Sequence, residues 1–105
     1  MSLDIPSRKP ALRQPYRTAI GILTDILEII IDAGIQGVMV SEISRKANLS
    51  NKATVENCQK LIEGYLIEST KRTRYHIFSI TPKGIEFFQE FKRFQEIAQE
   101  MNLRY

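Results

Sequence analysis

Residues 43–53, "ISRKANLSNKA", break a helical pattern and restart it within four residues. Asn48 tolerates the left-handed backbone that a sharp helix exit requires. Leu49 can then point back into a core, and Ser50 is a strong N-cap for a new helix. The stretch therefore reads as a short helix from about Glu42 to Ala47, a tight turn, and a longer helix from about Asn51 to Glu63 or Tyr65. Gly64 stands where that longer helix should stop. Arginine, lysine and asparagine gather around the break. An ordinary corner in a helical domain explains the turn alone; a helix aimed outward at a partner explains the side chains as well.

Upstream, a first helix is expected from about Arg17 to Ala33, ending at Gly34. Ile20, Leu23, Ile26, Leu27, Ile30 and Ile31 form its core stripe, with Asp25, Glu28 and Asp32 opposite. Ile22 and Ile29 widen the apolar face. Val38–Val40 reads as a short extended stretch, with Ser41 as the cap of the second helix. Downstream, Leu66–Thr70 and Tyr75–Ile80 read as two strands around the basic "KRTR" at 71–74. Thr81 and Pro82 are an N-cap and a first helical residue, opening a last helix to about Leu103 that spans roughly 33 Å. Residues 1–15 carry Pro6, Pro10 and Pro15 with Arg8, Lys9 and Arg13, and read as a flexible basic arm. The division is thus an arm (1–15), a domain (16–81) and a C-terminal helix (82–105).

The 105 residues are 43% hydrophobic and 26% charged, enough for one modest core. Fifteen Lys and Arg against twelve Asp and Glu leave a net charge of +3, which permits an anionic partner without requiring one. The single cysteine, Cys58, excludes an intramolecular disulfide. Three carboxylates within the apolar run 20–35 argue against a membrane span, and the N-terminus has no apolar stretch long enough for a signal peptide. A cytoplasmic setting is the expectation.

The order is arm, helix, short strand, helix, helix, strand, strand, long helix. In that order "ANLS" (47–50), "LIEGYLIE" (61–68) and "YHIFSITPKG" (75–84) resemble the small archaeal winged-helix DNA-binding proteins. The resemblance covers about Tyr16 to Met101. It implies a mainly α, α+β fold: a winged helix-turn-helix whose long C-terminal helix pairs with its copy as an antiparallel coiled coil. It also implies a homodimer with double-stranded DNA as its partner. Ile43, Ala47, Leu49, Leu61 and Leu66 match core slots, and Ser50 matches the cap of the recognition helix. Two departures stand out. Tyr65 sits where the family usually has glycine, with Gly64 next door, and the wing tip has no glycine, which favours a loose loop over a tight primed turn.

DNA affinity comes mainly from neutralised phosphates, and discrimination from side chains that reach base edges. Lys71, Arg72, Thr73 and Arg74 at the wing, with no acid among them, are the clearest phosphate-binding candidates. Core spacing from Leu49 turns Thr54, Cys58, Leu61 and Tyr65 inward. The outer face of the third helix is then Asn51, Lys52, Val55, Glu56, Gln59, Lys60 and Glu63, started by Ser50. A phasing with Val55 inward would expose different neighbours. Asn and Gln can read adenine, Lys guanine or phosphate, and Val55 a thymine methyl. Glu56 and Glu63 cancel Lys52 and Lys60, so specificity should be modest. Arg45 and Lys46 add phosphate contacts, as would Arg8, Lys9 and Arg13 of the arm.

Phe87, Phe91, Phe94, Ala98 and Met101 alternate four and three apart, the spacing of a dimerisation seam, with Phe88 and Ile97 beside it. His76 has no cluster at ligand spacing, so neither metal nor cofactor is expected. No nucleophile–base set or glycine-rich phosphate loop marks an enzyme. The leading expectation is a homodimeric transcriptional regulator or chromatin-type architectural protein. The alternatives are a winged-helix module for protein–protein contact, and a repressor with an effector pocket at its dimer interface.

Overall fold

The computed structural model describes residues 17–102. Its elements run α1 (Ala19–Ala33), α2 (Val40–Ala47), α3 (Asn51–Glu63), β1 (Ile67–Lys71), β2 (His76–Ile80) and α4 (Pro82–Glu100). The strands form an antiparallel hairpin with Ile67 opposite Ile80 and Lys71 opposite His76. Val38 joins its edge by a single bridge to Phe78. This is a winged helix-turn-helix fold, mainly helical, with one small sheet and a long last helix.

The core forms where the helical stripes meet. Ile26, Leu27 and Ile30 of α1, Ile43 of α2 and Leu61 of α3 are buried together with Ile67 and Phe78 of the hairpin. Each such side chain contributes roughly 1.5–3 kcal/mol of apolar transfer. Asp25, Glu28 and Asp32 stay exposed on the far side of α1. The Thr18 hydroxyl caps α1, accepting from the Gly21 amide at 2.9 Å. Arg17 then reaches from this end to the C-terminus of α2, donating to the Ala47 carbonyl and to Asp25, each at 2.8 Å.

The turn between α2 and α3 follows from its residues. Asn48 takes φ 58 and ψ 53. This reversal lets the Leu49 amide donate to the Ser44 carbonyl at 3.0 Å and the Asn48 amide to Arg45 at 3.4 Å, closing the last carbonyls of α2. Ser50 accepts from the Ala53 amide at 3.0 Å and starts α3. Helix α2 itself is capped by Met39, two residues before the serine expected to cap it. Extended pairing ends at Val38, and the Glu42 and Ile43 amides turn at once onto the Met39 carbonyl at 3.2 and 3.1 Å. Ser41 is therefore inside the helix.

The exit from α3 repeats the geometry of the exit from α2, but with a different kind of residue at its centre. The Leu66 amide donates to Leu61 and the Tyr65 amide to Ile62, both at 2.9 Å. The left-handed residue between them is Tyr65, at φ 62, whereas Gly64 sits at φ −87. Gly64 thus leaves the strained position to its neighbour, and Tyr65, expected to face inward, lies largely exposed with Lys83 Nζ over its ring at 5.7 Å.

The "TPKG" at 81–84 joins the end of α3 to the start of α4. The Thr81 hydroxyl accepts from the Gly84 amide at 2.9 Å and lies 2.8 Å from the Tyr65 carbonyl and 3.0 Å from that of Leu66. Lys83 donates to the Gly64 carbonyl at 3.1 Å. Gly84 is buried so closely that a Cβ there would run into the Leu66 carbonyl oxygen and come within 2.7 Å of Ile80 Cδ1.

Two substitutions should therefore move stability in opposite directions in one urea-unfolding comparison. Tyr65→Gly removes left-handed strain and is expected to stabilise by about 1 kcal/mol. Gly84→Ala overpacks a backbone contact and should destabilise by about 1–3 kcal/mol.

Candidate nucleic-acid interface

Helix α3 buries Thr54, Cys58 and Leu61 and exposes Asn51, Lys52, Val55, Glu56, Gln59, Lys60 and Glu63. Its phase follows from a polar contact as much as from apolar spacing. Ser44 Oγ of α2 lies 2.9 Å from Thr54 Oγ1, and Thr54 Oγ1 donates to the Ser50 carbonyl at 2.9 Å. Turning Val55 inward would strand these buried hydroxyls, at a cost of about 1–3 kcal/mol. Val55 is instead 51% exposed, so a methyl-bearing side chain stands on the outer face.

The outer residues differ in how much freedom they keep. Ser50 Oγ is committed to the cap of α3. Asn51 Oδ1 accepts from Ser44 Oγ at 2.8 Å, which holds its amide in place at the head of the helix. Gln59 Nε2 reaches Glu63 at 3.4 Å, a weak exposed contact. Lys46 on α2 pairs with Glu42 at 3.0 Å, which lowers its availability to phosphate, while Arg45 is exposed.

At the wing, the Arg72 amide donates to the Tyr75 carbonyl at 2.7 Å and closes a four-residue loop, 72–75, beyond the Lys71–His76 pair. None of the loop residues has a positive φ, so the turn is not a primed one. Lys71, Arg72, Thr73 and Arg74 are all exposed. Among the described residues, the ion pairs involve Arg17, Lys46 and Arg93 and leave the wing cations uncompensated. The arm residues Arg8, Lys9 and Arg13 lie outside the described residues.

The C-terminal helix divides its apolar residues between two faces. Gly84, Phe88, Phe91 and Ala98 face the body of the chain: Gly84 and Ala98 are buried, and Phe88 and Phe91 line a cleft shared with α1. Phe87 packs on the core. Phe94, Ile97 and Met101 are 51%, 52% and 62% exposed, so the outward stripe runs through Ile97 and not through Ala98. The difference arises because α4 uses the three–four spacing twice, once toward the body of the chain and once, a step of rotation away, toward solvent.

The family model described as a winged helix-turn-helix matches residues 16–99. The chain belongs to that family. No curated protein matches it. Among solved structures, protein AF1382 from Archaeoglobus fulgidus shares 23% identity and a TM-score of 0.62, over 73% of this chain and 86% of that one. MepR, a transcription regulator of the Staphylococcus aureus multidrug efflux pump MepA, shares 17% identity and a TM-score of 0.67, over 76% of this chain and 61% of its own. A MepR variant bound to an oligodeoxyribonucleotide superposes with a TM-score of 0.66 at 17% identity, over the same shares. At these identities the likeness is one of fold. Among the described residues no helix is long and apolar enough to cross a membrane.

Two features had no signal in the sequence. Arg17 ties α1 to α2 across thirty residues, a contact no local pattern announces. Tyr75 and Met39 stand beside Val55 around a cleft between α3 and the hairpin, which only the folded chain brings together.

Burial raises the Cys58 thiol from its ordinary value of 9.0 to about 11. The folded state holds this proton more tightly than the unfolded chain, so its contribution to stability is complete below pH 9 and is lost as pH rises toward 11. Subtracting the pH–stability curve of Cys58→Ala from that of the parent chain should isolate a decline confined to that window.

Proposed function

We propose that this chain is a DNA-binding protein acting as a homodimer, either a transcriptional regulator or a chromatin-type architectural protein. The observation that carries the reading is the uncompensated basic wing beside the exposed polar face of α3. Helix α3 would enter the major groove, where Asn51, Lys52, Val55, Glu56, Gln59 and Lys60 meet base edges and Ser50 lies at the helix head. Lys71, Arg72, Thr73 and Arg74 would grip the adjoining backbone, joined by Arg45 and, more weakly, by Lys46. Arg8, Lys9 and Arg13 of the arm would add further phosphate contacts.

The charges rank these roles. Two carboxylates offset two lysines on α3, whereas the wing has three cations and no acid. Affinity should then come chiefly from phosphate contacts and fall steeply with salt, with modest discrimination between sequences. Asn51 is the best-placed reader, because Ser44 restrains its amide before DNA arrives.

The dimer would form along α4. Phe94, Ile97 and Met101 present an apolar stripe that a second copy can cover, and an antiparallel coiled-coil pairing suits its spacing. Two recognition helices set roughly 34 Å apart would then address one face of the duplex.

Titrating a mixed-sequence duplex by fluorescence anisotropy across salt concentrations tests the reading. Log K should fall linearly with log salt, and Arg72→Ala and Arg74→Ala should each weaken binding to every duplex alike and lower the slope by about 1. Absence of binding at low salt would favour a protein–protein module instead. Ile97→Lys combined with Met101→Lys should convert the dimer to a folded monomer in sedimentation equilibrium.

A further inference from the structure

Between α3 and the hairpin lies a cleft of about 380 Å³. Val55 and Ile62 of α3 form one wall, Tyr75 and Phe78 the other, and Met39 closes the end beside α2. Buried Cys58 is the floor. Met39, Val55 and Tyr75, three of the exposed large apolar side chains among the described residues, share one mouth. A concave apolar cluster of this size falls within the range of small-molecule sites.

The lining also says what kind of molecule fits. Its polar members include Ser41, Gln59, Ser69 and His76, and no Lys, Arg, Asp or Glu stands among the described lining residues. Ser69 Oγ and His76 Nδ1 already lie 3.1 Å apart, within hydrogen-bonding distance. A charged guest would shed its hydration here and meet no ammonium, guanidinium or carboxylate among the described lining residues. Phosphate would meet the same penalty, so in the DNA-binding reading the backbone contacts fall to the wing cations and not to the cleft. The Tyr75 and Phe78 rings and the Met39 thioether favour a flat aromatic guest. The Cys58 thiol, kept protonated by burial, packs beneath it as an apolar group and not as a nucleophile.

We propose that this cleft binds a small, uncharged aromatic molecule. Because Val55 and Gln59 belong both to its lining and to the outer face of α3, an occupied cleft competes with DNA. That second consequence rests on the DNA-binding reading; the site itself does not.

The test uses the full chain with labelled methyl groups, titrated with naphthol as an uncharged probe and with naphthoate as its anionic counterpart. Naphthol should shift the Met39, Val55 and Ile62 methyls saturably, and naphthoate should bind at least about tenfold more weakly. Met39→Ala and Tyr75→Ala, both at partly exposed positions, should each weaken naphthol binding while the thermal midpoint stays close to that of the parent. Naphthol should also lower duplex affinity. No saturable shift at these methyls would overturn the proposal, as would equally tight naphthoate binding. Shifts of the same methyls with protein concentration alone would assign the cleft to a second copy and overturn it too. If naphthol binds while duplex affinity is unchanged, the competition falls. If no duplex binds at all, the DNA-binding reading fails and the methyl shifts still decide the site.

Discussion

The left-handed backbone at Asn48 is the constraint on which the arrangement depends. Only with that residue reversed can the Leu49 amide turn back to the Ser44 carbonyl, drop its side chain toward the core, and leave Ser50 to cap a helix in a new direction. The angle so created is then held by side chains. Ser44 of α2 touches both Thr54 and Asn51 of α3, so the two helices share a polar contact on one side and the Ile43–Leu61 core on the other. At its far end α3 is tied to α4 through Thr81, Lys83 and Gly84. A helix fixed at both ends is a suitable platform for recognition, since little ordering remains to be done on binding.

That platform is electrically unlike its neighbour. The outer face of α3 balances its charges, and the wing does not. In the proposed DNA-binding reading, neutrality beside a basic tip would separate two tasks: the wing would supply attraction, and α3 would supply shape and a few directional groups. The apolar cleft lies between them, and its wall and the readout face share Val55 and Gln59.

How much of this could be read in the sequence follows from the range of each interaction. The α3 start, the αL break at Asn48 and the opening of α4 at Thr81–Pro82 are set by residues within one turn, and each is legible there. The start of α2 is not, because Val38 pairs with Phe78, forty residues away, and the helix begins where that pairing ends. Tyr65 misleads in the same way: the neighbouring glycine invites the left-handed role, but the register of the Leu61 and Ile62 carbonyls assigns it to the tyrosine. On α4 the three–four spacing is plain in the sequence, yet two overlapping stripes satisfy it, and only the folded chain, with Ala98 buried and Ile97 exposed, distinguishes them. For α3 the choice between phasings with Val55 in or out depended on a hydroxyl contact from another helix.

The central claim is that α3 and the wing together form the DNA-facing surface. Amide chemical-shift mapping of the full chain against a short mixed-sequence duplex tests it most directly. The account predicts that perturbations concentrate at residues 50–60 and 71–74, and that the exposed acidic side of α1 around Asp25, Glu28 and Asp32 stays unmoved. A spectrum left unchanged by the duplex at low salt, or perturbations centred on α1 or the outward face of α4, would contradict it.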